Sequence, residues 1–379
     1  MTSGLPSVLH IHFWADIRNT AGSVEKVITA FATHGERYAH SIACCPAERG
    51  ESHFILNGVS VYSFYENRVT NRLFNKMLRL GAFTYPSLVK LIRQLRPSIL
   101  HFHNRQELVD SVVGRLDYRP AVVVHYHRHF AYPVIPESAD LLLFVSERTR
   151  EYILCKTGSS KPFAVVPNPL SLELQNIALT APTNPPHRPP VILFGGGASP
   201  LKGGKELIEA FAKLAPGRAK LVLAGNGVEN LPGLPHPFIE VWGRLPANEF
   251  MQLMSLADIV AMPSFDEPFG LIAQEAMALG KLLLVSETGG LAEFTGPDCA
   301  VTVDPRDPQS LQQGLSAVLS LLEPGREHDR QKMLANARLR VATFHPERVT
   351  RSLESAYDDA LLKASHQENC GTDARGRAS

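Results

Sequence analysis

In "PSFDEPFGLIAQEAMALG", residues 263–280, Glu267 and Glu275 stand on either side of a Pro-Phe-Gly turn. Paired carboxylates that hydrolyse a glycosidic bond must both face that bond, at most roughly 9.5 Å apart. Two turns of helix separate their bearers by about 10–12 Å, so a clamp on a ligand suits the spacing better than joint acid–base work. Pro268 fits the first position of a helix and Gly280 its C-terminal cap. The amides of Phe269, Gly270 and Leu271 then become helix-start donors, ready for an anion. Glu267 either serves the helix dipole or meets the hydroxyls of a bound sugar. Glu275 can accept two hydrogen bonds from a vicinal diol such as a ribose.

Two glycine-rich turns extend this reading. "FGGGASPLKGGKEL" (194–207) follows a strand-like run and opens a helix-like one. It is no P-loop, because Gly204-Lys205 is followed by Glu206 and Ser199 stands where glycine is needed. The dinucleotide fingerprint fails as well, since Pro200 replaces its third glycine. Lys202, after a flexible turn, either reaches a diphosphate or belongs to a solvated turn. "AGNGVEN" (224–230), with Asn226 at its centre, offers bare backbone to a flat base or ribose, or is a simple turn. Histidines alternate at 125, 127 and 129, and again at 101 and 103. Each is a candidate active-site group or a hydrogen-bonded core residue. There is no Asp-x-Asp, and the histidines lack acidic neighbours at ligand spacing, so the sequence shows no metal cluster and calls for no cofactor.

These residues need elements to position them. Short β-branched runs alternate with helical spacing: "SVLHIHFW" (7–14), "SILHFHN" (98–104), "AVVVHYH" (121–127) and "LLLFVS" (141–146) read as buried strands. Strand–helix alternation implies right-handed crossovers and parallel, doubly wound sheets. "TAPTNPPHRPP" (180–190) holds five prolines in eleven residues and reads as a linker. Beyond it the alternation restarts. The expected division is an N-terminal Rossmann-like domain at 1–178, a linker at 179–190, a second domain at 191–345, and a disordered tail at 365–379. A helix at about 346–364 completes the first domain.

Composition bounds the function. At 379 residues, 44% hydrophobic and 20% charged, the chain suits two soluble domains. Five cysteines, two of them adjacent, make neither a disulfide framework nor a zinc spacing, which suits a cytoplasmic protein. Residues 1–184 carry 19 Lys+Arg against 14 Asp+Glu, and the remainder 19 against 23. That asymmetry is far from a nucleic-acid binder and would suit an anionic membrane surface. Arg68, Arg72, Lys76 and Arg79 in "ENRVTNRLFNKMLRLGAFTYP" (66–86) fit a basic amphipathic helix, either on such a surface or beside an acceptor cleft.

"GGGASPLKGGKELIEAFAKL", "LVLAGNG", "ADIVAMPSFDEPFGLIAQEAMALGKLLLVSETGGLAEF" and "VVPNP" together resemble glycosyltransferase family 4, retaining enzymes of the GT-B fold. The segment 257–294 is the most specific part. The resemblance implies two doubly wound Rossmann-like α/β domains facing across a cleft, with a nucleotide-sugar donor held by the C-terminal one. It implies that Lys202 and the amides of Phe269, Gly270 and Leu271 hold the diphosphate, Glu267 the sugar and Glu275 the ribose. Gly22 and Ser23 fall where the family places a glycine pair near the phosphates, and Asn168 matches the asparagine that starts the interdomain region. His127 falls at the active-site histidine, with His125 and His129 as alternates. The family's usual Gly-Arg before the lysine is Gly196-Gly197 here, so Arg244 becomes the substitute. The implied activity is metal-independent, retaining transfer of a hexose from a UDP-sugar, or next GDP-mannose. The implied acceptor is a saccharide or lipid-linked chain in cell-envelope polysaccharide or lipopolysaccharide synthesis. The alternative is a non-catalytic sugar-nucleotide-binding module.

Overall fold

The computed structural model describes residues 4–13, 17–18, 23–45, 52–64, 85–171, 174 and 189–375, with side chains as far as Ser365. Gly22, the basic stretch at Arg68–Arg79 and most of the proline-rich linker lie outside the described residues. The chain divides into two units, Met1–Pro169 with Pro346–Ser379, and Leu170–His345.

The first unit is a sheet with helices. Its strands are β1 (Ser7–His12), β2 (Ala39–Cys44), β3 (His53–Leu56), β4 (Val59–Ser63), β5 (Ile99–His103), β6 (Ala121–Tyr126), β7 (Leu141–Phe144) and β8 (Phe163–Val165). They lie in the order β3-β4-β2-β1-β5-β6-β7-β8, parallel apart from the β3–β4 hairpin. All residues of β5, β6 and β7 are buried, as expected of strands covered on both faces. The hairpin turns on Asn57 and Gly58, both at positive φ, as a tight two-residue turn requires. The described helices include α1 (Ser23–Thr33), α2 (Pro86–Leu95), α3 (Val109–Val113) and α4 (Glu147–Thr157). Ser146 caps α4 by accepting from the Thr149 amide, and Gly158 closes it in the left-handed conformation.

The described residues of the second unit form six strands, β9 (Val191–Phe194), β10 (Lys220–Ala224), β11 (Ile239–Gly243), β12 (Ile259–Met262), β13 (Leu282–Ser286) and β14 (Val301–Val303). They run parallel in the order β11-β10-β9-β12-β13-β14. The helices are α5 (Gly204–Phe211), α6 (Ala247–Leu256), α7 (Leu271–Ala278), α8 (Gly290–Phe294), α9 (Pro308–Ser320) and α10 (Glu327–Ala342). Alternate residues Ile192, Phe194, Leu221, Leu223, Ile259, Ala261, Leu282 and Leu284 pack into one core with Leu207, Ile208, Phe211, Leu311, Leu315 and Val318. Period two from the sheet meets period three to four from the helices.

The last helix, α11 (Pro346–Arg375), belongs to the first unit and packs on α1 and β6. It corrects the expected disordered tail, since the helix continues past Ser365 to Arg375. Buried Val349, Leu353, Ala356, Tyr357 and Ala360 start it, and the following residues propagate a helix already nucleated. Among the described residues no helix is long and apolar enough to cross a membrane.

The first unit buries an unusual load of imidazole. His10, His101, His103 and His125 are fully buried on β1, β5 and β6. Burial, reinforced by neighbouring imidazoles, pushes all four well below the ordinary histidine value of 6.5. The unfolded chain therefore binds more protons than the folded one once pH drops below about 6.5, and folding stability is lost as pH falls. Each such histidine contributes up to about a tenfold loss in the folding equilibrium per pH unit. Urea unfolding midpoints should fall steeply between pH 7.5 and 5, and His125→Phe should flatten the decline. A midpoint unchanged over that range would contradict the burial of neutral imidazoles.

Candidate active site

In the second unit β9 and β12 are neighbours, yet the chain leaves β9 toward β10 and β11 and leaves β12 toward β13 and β14. A crevice opens at the carboxyl ends of two strands whose connections diverge. Two loops rim it. After β9, residues 195–203 end in a short turn at Pro200–Lys202 closed by Gly203. After β12, residues 263–270 lead to α7. The amide of Phe265 donates to the carbonyl of Leu201 at 2.9 Å and ties the loops together. Gly203 has φ +71°, and a Cβ there would run into the Pro263 carbonyl. Close backbone approach thus needs a bare residue.

This scaffold brings Lys202 Nζ to 2.5 Å from Glu267 Oε2. The Glu267 carbonyl is also fixed, accepting from the Gly290 amide at 2.7 Å. Gly290 admits no side chain, because a Cβ would strike the Pro268 carbonyl. Glu267 is 9% exposed, held by its backbone on one side and Lys202 on the other.

The helix start differs from expectation. Gly270, at φ +105°, is the N-cap and α7 begins at Leu271. Pro268 is therefore a turn residue, because a left-handed Gly270 interrupts any helix that starts before it. The helix-start amides are those at Leu271 and Ile272, behind the Gly270 cap. The Phe269 ring stacks on Phe294 at 4.9 Å and meets Phe344 edge-on at 5.6 Å, which anchors the turn. Glu275 is the fifth residue of α7 and is buried. At the helix's other end Gly280 is left-handed, and the Lys281 amide reaches the Ala276 carbonyl at 2.9 Å, closing it as expected. The second glycine turn is laced to the first by Ala198 N–H to Asn226 O, 2.9 Å, and to β11 by Gly225 N–H to Gly243 O, 2.7 Å. Asn226 and Arg244 are exposed, at the carboxyl ends of β10 and β11.

The first unit has its own divergence between β1 and β5. His12 ends β1, His103 ends β5 and His127 follows the last residue of β6. The His127 amide donates to Asn104 Oδ1 at 3.0 Å, and its Nε2 lies 2.9 Å from His103 Nδ1. Burial pushes the His127 imidazole down to about 3, with Asn168 opposing and His12 adding slightly, so it is neutral near pH 7. The structure separates the three alternating histidines. His125 is fully buried in β6. The strand ends at Tyr126, so His129 departs from the period-two side and stacks on Tyr152 at 4.4 Å, with Thr149 Oγ1 3.3 Å from its Nε2. Ser23 is exposed at the first position of α1.

Sequence reasoning passed over His12 and Glu25, whose Nε2 and Oε1 lie 3.1 Å apart. Burial would raise the Glu25 carboxyl, but its bond to His12 outweighs this and holds it below the usual range. The His-x-His spacing in "LHIH", repeated in "LHFH", was the available signal. Likewise, nothing local announced two trios, His10/His101/His103 and His103/His125/His127, whose ligand atoms lie within 4.8 Å of one another. They come from three strands far apart in the chain. Both nitrogens of His10 and of His103 are already paired with other imidazoles, so a metal ion there would have to break those bonds.

Comparison with known proteins places the fold and the family. Residues 177–340 match the family described as Glycosyl transferases group 1, and residues 24–174 match Glycosyltransferase Family 4. The lipopolysaccharide 1,2-N-acetylglucosaminetransferase of Salmonella typhimurium is 26% identical over 67% of this chain and 73% of its own length. An uncharacterized glycosyltransferase of Methanocaldococcus jannaschii is 38% identical over 34% of this chain, which spans 36% of that relative. Sucrose-phosphate synthase from Thermosynechococcus elongatus superposes with a TM-score of 0.70 at 19% identity, covering 94% of this chain and 99% of that one. Anabaena HepE, solved with UDP and glucose, gives 0.67 at 18% identity over 93% and 99%. With matches covering both Rossmann-like domains, the chain belongs to glycosyltransferase family 4 and has the GT-B fold.

Proposed function

We propose that the protein transfers a hexose from a nucleotide-sugar to a hydroxyl of a saccharide or lipid-linked acceptor, keeping the anomeric configuration and using no metal. The observation that carries this reading is the Lys202–Glu267 contact at the point where β9 and β12 diverge. There a cation, a carboxylate and helix-start amides sit within one pair of loops. Lys202 and the amides around Gly270 and Leu271 hold the diphosphate and stabilise the charge that develops on it. Glu267 binds the sugar hydroxyls and Glu275 the ribose. The Asn226 turn meets the base or ribose, and Arg244 serves for the arginine missing beside Lys202. The roles given to Gly22 and Ser23 at the phosphates and to His127 at the sugar rest on the family resemblance alone. The departing phosphate takes the acceptor proton on the same face, so no protein nucleophile is required.

UDP-sugars are favoured as donors, with GDP-mannose next; relatives and neighbours named for N-acetylglucosamine transfer and for UDP complexes support this choice. The acceptor reading, a cell-envelope polysaccharide or lipopolysaccharide, is supported by the name of the Salmonella relative, and work at the inner face of the cytoplasmic membrane by the basic spacing at 68–79. A non-catalytic sugar-nucleotide module is the second reading, because the glycine pair Gly196-Gly197 leaves Lys202 without its usual arginine.

A thermal-shift panel of UDP-, GDP- and ADP-sugars should stabilise the protein with one base only. Lys202→Ala and Glu267→Ala should each lower kcat/KM about 100-fold or more, the scale of losing one charge-stabilising group, and His127→Ala should abolish transfer. Full activity in all three variants would reject the assignment. Replacing Arg68, Arg72, Lys76 and Arg79 with glutamine should release the protein from anionic vesicles; unchanged binding would remove the membrane from the account.

A further inference from the structure

Four imidazoles and one carboxylate run in an unbroken line through the first unit. Glu354 Oε1, on α11, lies 3.3 Å from His40 Nε2. His40 Nδ1 lies 2.8 Å from His10 Nε2, His10 Nδ1 lies 3.0 Å from His103 Nε2, and His103 Nδ1 lies 2.9 Å from His127 Nε2. Each of the three ring-to-ring links joins the Nδ1 of one ring to the Nε2 of the next. The line is enclosed: Glu354, His10 and His103 are fully buried and the His40 side chain is 2% exposed. Gly35 makes room for it, since a Cβ there would strike the His40 ring.

We propose that Glu354, His40, His10, His103 and His127 form a proton relay that sets which nitrogen of His127 carries its proton. This inference rests on reading His127 as the residue that meets the donor sugar. A neutral imidazole has one donor and one acceptor nitrogen, so fixing one ring fixes all. Glu354 is the anchor. Burial would raise its carboxyl, but the His40 bond and the amides of Arg37 and Glu36, at 3.0 and 2.9 Å, hold it below the usual range. It therefore only accepts. With every ring neutral, His40 donates from Nε2 to Glu354 and each later ring donates from Nε2 to the Nδ1 before it. His127 then presents Nδ1 as its acceptor, on a ring that the Asn168 side chain also bonds.

One added proton reverses the line. A proton bound at Nδ1 of His127 sends the Nε2 proton of His127 to Nδ1 of His103. The Nε2 proton of His103 passes to His10 and that of His10 to Nδ1 of His40. The net change is one N–H gained at His127 Nδ1 and one imidazolium at His40, paired with the Glu354 carboxylate. No heavy-atom bond changes. The site would then offer a sugar hydroxyl a donor where it had offered an acceptor, while the charge rests deep in the fold. The burial of His10 and His103, which disfavours charge on either, keeps it from stopping midway. Other titratable groups around the line are His101, whose Nδ1 is 2.6 Å from the Tyr357 hydroxyl, His125 in β6, the His12–Glu25 pair from β1 and α1, and Tyr38 and Arg37 bonded to Asp358 of α11. His40, His10, His103 and Glu354 are positioning residues.

Nitrogen-15 NMR of ring-labelled histidines in the ligand-free full chain tests this without any variant. His10, His103 and His127 should carry their proton on Nε2 at high pH and exchange it for Nδ1 together, while His40 keeps its Nε2 proton and gains a second on Nδ1, all with one shared midpoint. Protonation of His40 while His127 keeps its tautomer would overturn the relay. Glu354→Gln should move the midpoint down by at least one pH unit, and His10→Phe should uncouple His127 from His40. In assays, both variants should lower kcat about tenfold and shift its pH profile; unchanged profiles overturn the proposal. Stoichiometric zinc or nickel retention lost in His10→Phe would also overturn it, because a coordinated ring nitrogen cannot pass the proton. A shared midpoint in a protein that binds no nucleotide-sugar supports the relay and removes only the donor reading.

Discussion

The second unit is organised around one short contact, Lys202 Nζ to Glu267 Oε2 at 2.5 Å. It exists because β9 and β12 lie side by side while their connections run opposite ways, leaving two loops to face each other across the gap. Neither loop could come so close with ordinary residues. Gly203 lies against the Pro263 carbonyl and Gly290 against that of Pro268, where any Cβ would collide. The Phe269 ring, stacked on Phe294 and edge-on to Phe344, supplies the apolar weight that holds the turn down. Burial of aromatic surface thereby secures the position of a carboxylate.

The first unit solves a different problem. It places neutral imidazoles inside a parallel sheet, where a lone polar group costs about 1–3 kcal/mol if unpaired. His10 and His103 escape that cost by pairing with each other and with His40 and His127. Helix α11 completes the arrangement by bringing Glu354 and Tyr357 from the far end of the chain. Its first turns are therefore part of the histidine layer as well as of the core.

Much of this was legible before any coordinates. The alternation of β-branched runs and helical spacing marked β1, β5, β6 and β7 within about two residues, because strands buried on both faces are continuously apolar. Glu267, Lys202 and the glycine turns stood out because loops at strand ends are short and their residue types are unusual. The β3–β4 hairpin went unread although Asn57-Gly58 is a strong turn signal. Pro268 misled because proline favours helix starts in general, whereas a left-handed Gly270 decides this one. The histidine line could not be read at all. His10 and His103 are 93 positions apart, and only the β1–β5 register, with His10 opposite His101, brings them together. Ser365 onward was read as disordered from its polarity, yet α11 runs through it to Arg375.

The central claim is that this chain supplies a cradle and leaves bond-making to the substrates. It holds a cation, a carboxylate and amides at one strand divergence, and assigns no side chain to attack the sugar. Proton NMR of the product formed from an α-linked nucleotide-sugar tests this most directly. The account predicts an α-linked product with no covalent sugar–protein intermediate detectable by mass spectrometry. A β-linked product would contradict it.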